Sequence, residues 1–66
     1  MKNKKEKPKA KIIGENGNVF NLLGICSKAL DSVGQRDKAK EMTTRVMASR
    51  SYTDALQIME EYCELS

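Results

Sequence analysis

The side chains in this sequence with most chemistry to offer are two thiols, Cys26 and Cys63, and three late carboxylates, Glu60, Glu61 and Glu64. A cysteine becomes a nucleophile or redox sensor when a nearby cation or helix N-terminus stabilises its thiolate and solvent can reach it. Neither condition is visible here. Both cysteines fall among apolar residues at helical spacing with no basic residue on their own face, so they read as reduced thiols packed in a core. Two cysteines cannot close a tetrahedral metal site alone, and the chain lacks histidine, the commonest general base and metal ligand. No metal, no cofactor and no enzyme activity are expected. Glu60 and Glu64 stand one turn apart if a helix runs through both, a spacing that could hold a cation or share a proton, yet nothing nearby perturbs them. With Asp54 and Glu61 they read instead as a solvated helix face that could dock a basic partner.

Asn16-Gly17-Asn18 could offer backbone N–H groups to a phosphate at a helix start. Glu15 beside it repels an anion, and the glycine spacing matches neither the dinucleotide fingerprint nor the Walker loop, so a turn and helix cap is the expected role.

The formal charge of +3 is unevenly spread. Residues 1–11 hold Lys2, Lys4, Lys5, Lys7, Lys9 and Lys11 against Glu6, a local +5, which leaves six basic and eight acidic residues, or −2, for the rest. The six tail lysines, with Lys38, Lys40 and Arg45 of a basic second helix, are the candidate nucleic-acid contacts. The tail has neither arginine nor aromatic residues, so any such binding should be weak and indifferent to base sequence.

The elements that must carry these groups follow from apolar periodicity. Residues 1–11 have none and are expected to form a disordered lysine-rich tail, with a single helical domain over 12–66. Ile12 and Ile13 form an extended lead, and Asn16 or Asn18 caps a first helix from Val19 to Val33, where Val19, Leu22, Leu23, Ile25, Cys26, Ala29, Leu30 and Val33 share one broad arc. Gly34 is its expected left-handed stop. A second helix runs from Arg36 or Asp37 to Ser49 on a narrow stripe of Ala39, Met42 and Val46, with Met47 off to one side. A third begins at Ser51, where Ser51 and Asp54 have capping-box spacing. The fold expected is mainly α, a small three-helix bundle, with a core of Val19, Leu22, Leu23, Cys26, Leu30, Val33, Met42, Val46, Leu56, Met59 and Cys63. The alternative is a small α+β unit in which the lead at Ile12 and Ile13 pairs with an extended C-terminus around Cys63 to Leu65.

Residues 14–30 (GENGNVFNLLGICSKAL), Gly34 and residues 51–64 (SYTDALQIMEEYCE) resemble a family of small uncharacterised proteins encoded on bacterial phages and conjugative transposons. The shared pattern is Gly17, Asn18, Val19 and Phe20 entering a helix, a break at Gly34, and a tyrosine-led last helix with Tyr52, Ala55 and Leu56. Many members carry glycine where this chain has Arg50, which argues against a glycine cap on the second helix. The resemblance implies a mobile-element origin and no particular chemistry.

A chain of 66 residues buries only about 60% of its unfolded surface, so contacts with a protein partner or a second copy would add welcome stability. No signal peptide or apolar span is apparent, and a cytoplasmic location without membrane association is expected. The function expected is a protein-interaction accessory, an adaptor or inhibitor, that engages its partner through the acidic helix or by homodimerisation. Weak nucleic-acid binding is the alternative.

Overall fold

The computed structural model describes residues 7–66. It contains three helices, α1 (Val19–Ser32), α2 (Arg36–Met47) and α3 (Tyr52–Tyr62), and two short strands, β1 (Lys9–Ala10) and β2 (Glu64–Leu65). The fold is mainly α, as the periodicity indicates.

Local chemistry sets most of the helix ends. Asn18 stands in extended geometry before α1, and its side chain accepts the Phe20 N–H at 2.8 Å, satisfying one of the donors a helix start leaves free. At the other end Gly34 takes φ +76. Its N–H reaches the Asp31 carbonyl while that of Gln35 reaches Leu30, the paired closure that a left-handed residue after a helix permits. No glycine closes α2. Ala48 stays right-handed and bonds back to carbonyls of the last turn. Ser51 Oγ accepts the Asp54 N–H at 3.0 Å at the start of α3. The Asp54 carboxylate in turn accepts the N–H of Arg50 at 3.2 Å, one residue earlier than a standard capping box would place it.

The two ends of the described chain depart from expectation. Part of the segment expected as disordered tail is built into the fold, since β1 pairs in parallel with β2, Lys9 opposite Glu64 and Ala10 opposite Leu65. Side chains alternate across a strand, so Lys9 stays in solvent while Ala10 enters the core at 1% exposure. The N–H groups of Ile12 and Ile13 both donate to the Ser66 carbonyl oxygen, at 2.7 and 2.8 Å. The lead-to-C-terminus pairing of the α+β alternative is therefore present beside the bundle, with its ladder centred before Ile12. Residues 1–6, with Lys2, Lys4 and Lys5, lie outside the described residues.

Helix α3 ends at Tyr62, and Cys63 is extended (φ −134, ψ 154). Continuing the helix would give the Glu64 N–H to the Glu60 carbonyl. That carbonyl instead accepts the Lys7 ammonium at 2.7 Å, and the Glu64 N–H goes to Pro8 O at 2.8 Å. The chain thus exchanges one helical bond for contacts with the N-terminal segment. Glu60 and Glu64, expected one turn apart on a helix, lie on different elements.

All three helices meet in one core, with Leu30, Met42, Met59, Cys26 and Cys63 the largest side chains fully enclosed. Burying a leucine or methionine of this kind contributes about 1.5–3 kcal/mol. Ala39, Ala55, Ile58 and Tyr62 are also buried, whereas Val19 and Leu56 are only half-buried against the core. Val33, expected inside, is 51% exposed. It is the C-cap rather than part of α1, so it no longer follows the helical arc that would bring it inward.

Candidate partner-binding groove

The turn after β1 sets up the first wall of the site. Glu15 N–H returns to the Ile12 carbonyl, with Gly14 at φ +87 as a type II turn requires at its third position. The next residues are tied down individually: Asn16 Oδ1 accepts the Asn18 N–H, and Asn21 Nδ2 donates to the Asn16 carbonyl, both at 2.8 Å. The Asn16-Gly17-Asn18 segment is spent on turn and cap. The Tyr52 hydroxyl then donates a 2.6 Å hydrogen bond to the Gly17 carbonyl, fixing the first turn of α3 against the entry to α1.

Between these two helix starts and the end of α2 lies a groove of roughly 320 Å³ whose apolar lining is Val19, Phe20, Val46, Met47, Tyr52 and Ala55. Three of these are large and open to solvent: Phe20 at 62%, Met47 at 59% and Tyr52 at 48% exposure. Contiguous exposed apolar surface on so small a body marks contact with another molecule more often than isolated exposed side chains do. No family model, curated protein or solved structure matches the chain. The groove residues Val19 and Phe20 at the start of α1 and Ser51, Tyr52 and Ala55 at the start of α3 are more than thirty positions apart in the chain, and the fold brings them together.

The acidic candidates do not form one free surface. Glu61 meets the Arg45 guanidinium in a two-pronged pair, 2.7 and 3.2 Å. Hydrogen bonding to Arg45 lowers the Glu61 pKa and raises that of Arg45. A residue expected to bind a protein partner and one expected to bind nucleic acid thus neutralise each other, in a pair exposed enough to contribute little to stability. Asp54 is occupied as a cap. Glu60 remains exposed on α3, and Glu64 is exposed on β2.

Arg45 also donates to the Tyr62 hydroxyl at 3.2 Å and lies over its ring, while that hydroxyl donates to Glu41 at 2.6 Å. Burial, followed by the Glu41 hydrogen bond, raises the Tyr62 pKa. This clasp joins α2 to α3.

Of the basic candidates, Lys38 and Lys40 are exposed on α2, Lys9 is exposed within β1, Lys11 directly follows that strand, and Lys7 is held by the Glu60 carbonyl. Lys40 also borders a second cavity, of roughly 520 Å³, between α1 and α2, together with Lys28 and Arg36. Arg36 is paired with Asp31 there at 3.1 Å.

Both thiols are fully buried. Cys26 donates to the Met59 sulfur at 3.7 Å and Cys63 to the Cys26 carbonyl at 3.5 Å. Burial, reinforced by the neighbouring Cys63, pushes the Cys26 pKa up to about 12, and burial also raises that of Cys63. This is the reverse of the activated thiolate that nucleophilic or redox work needs. Among the described residues no helix is long and apolar enough to cross a membrane.

Sequence reading missed the groove because its residues belong to three separate elements. A signal was present, since Phe20 lies outside the apolar arc of the first helix and Met47 off the stripe of the second. Large apolar side chains on the wrong side of an amphipathic helix are candidates for intermolecular contact.

Proposed function

We propose that this chain is a non-enzymatic protein-interaction accessory, an adaptor or inhibitor of a bacterial mobile element acting in the cytoplasm, and that it docks its partner at the Phe20–Met47–Tyr52 groove. The observation that carries the reading is the convergence of those three exposed side chains on one apolar concavity. The internal pairing of Glu61 and the capping role of Asp54 move the expected contact surface from the acidic face of α3 to this groove. The mobile-element setting rests on the sequence resemblance.

Capture from host lysate tests the proposal, using the full chain, a Phe20→Ser/Met47→Ser variant and a Glu60→Gln/Glu64→Gln variant. A protein recovered by the full chain and the glutamine variant, and lost from the serine variant, is the expected result. A partner lost only when the glutamates are changed would return the site to the acidic residues.

Weak nucleic-acid binding is a second reading, favoured by the basic border of the α1/α2 cavity at Lys28 and Lys40. A log–log salt slope that falls when both lysines are changed to glutamine would support it.

A further inference from the structure

We infer that the groove takes a segment of a partner protein that presents apolar side chains beside a carboxylate, with the carboxylate meeting Arg50. This rests on the groove being the docking surface proposed above. Arg50 is the one charged residue of the lining, and no acidic side chain shares the wall, although residues 12–66 are net acidic. Among the described residues the Arg50 guanidinium has no ion-pair partner. The carboxylate closest to it in sequence, Asp54, is engaged by the Arg50 backbone N–H. Helix α1 begins at the groove with no acidic residue in its first turn, whereas Asp54 already stands in the first turn of α3, and a helix start carries partial positive charge. The site therefore asks for negative charge next to apolar anchors.

That combination selects among occupants. A phosphate backbone brings charge without apolar side chains to fill the space between Phe20 and Met47. A second copy docked face to face would bring two Arg50 guanidinium groups into one apolar interface, with like charges unpaired. A peptide segment with leucine-type anchors and an aspartate or glutamate meets both demands.

The test titrates the full chain, isotope-labelled for amide NMR, with two synthetic peptides capped at both ends. One carries leucines beside an aspartate, and the other carries asparagine in place of the aspartate. Both should shift the amides of Phe20, Met47 and Tyr52. The aspartate peptide should bind more tightly, by up to about fivefold for one exposed ion pair. The preference should shrink with added salt and disappear in Arg50→Gln, which keeps the backbone N–H that Asp54 accepts. Equal binding of the two peptides, or a preference that survives Arg50→Gln, overturns the carboxylate assignment and leaves the groove standing as a docking surface. Failure of both peptides to shift groove amides counts against the groove itself. Sedimentation showing a dimer that Phe20→Ser dissociates replaces the peptide with a second copy.

Discussion

The hydroxyl of Tyr52 and the carbonyl of Gly17, 35 residues apart in the chain, are joined by a hydrogen bond of 2.6 Å. That bond connects the start of α3 to the loop that launches α1, and it holds one wall of the groove in place. Tyr52→Phe removes the donor and keeps the ring. The variant should lose about 0.5–1.5 kcal/mol in a urea titration, with faster amide exchange over residues 14–18. Unchanged exchange there would mean that the loop is held by its asparagines alone.

Position in the core, rather than apolarity, should decide the cost of truncation. Leu30 is fully enclosed and Val33 is half open to solvent. Leu30→Ala should cost about 2–5 kcal/mol, enough to unfold much of a marginal domain, while Val33→Ala should stay within about 0.5 kcal/mol. Denaturation midpoints of the two variants check this, and equal losses would place Val33 in the core after all.

The contrast between these residues shows how far the sequence could be read. Asn18, Gly34 and Ser51 mark helix ends through bonds to residues two to four positions away, so their roles were legible from local spacing. The strand pair was legible only as the alternative in which the lead at Ile12 and Ile13 meets the C-terminus, and its actual place at Lys9–Ala10 was not. Its two-residue partners, Lys9–Ala10 and Glu64–Leu65, carry no alternation long enough to register, and Ala10 is masked by the lysines around it. The exit of Glu64 from α3 likewise depends on Lys7 and Pro8, more than fifty residues away. The pairing of Arg45 with Glu61 follows from how α2 and α3 pack, which charge counting along the chain cannot show.

Alkali should weaken the fold through its buried thiols. Cys26 has its pKa raised on folding from an ordinary 9.0 to about 12, and Cys63 and Tyr62 are raised as well. Groups raised in this way bind their protons more tightly when folded. Their contribution is whole below the unfolded pKa and is lost as pH climbs through the folded one. Stability should therefore hold at neutral pH and decline between about 9 and about 12, with a shallower decline in Cys26→Ala. In native buffer near neutrality a thiol reagent should label both cysteines slowly, and rapidly once denaturant is added. Fast labelling of native Cys26 would contradict its burial.

The N-terminal segment should contribute to stability from Lys7 onward. Deleting residues 1–6 removes none of the contacts described between Lys7 and the C-terminal end. Deleting residues 1–11 removes Ala10 from the core and the whole of β1. Thermal unfolding should show a clear loss of stability for the longer deletion relative to the shorter one. Equal midpoints would mean that the strand pair adds nothing to the helical body.

The claim that the groove is where this protein meets another is tested most directly by hydrogen–deuterium exchange on the full chain, alone and in complex with the protein it captures from host lysate. Protection is predicted over Gly17–Phe20 and Val46–Ala55, with little change over Gly24–Asp31 and over Gln57–Glu61. Protection confined to Gln57–Glu61, or to the α1/α2 cavity around Gly24 and Thr43, would contradict it and place the partner on a different face of the bundle.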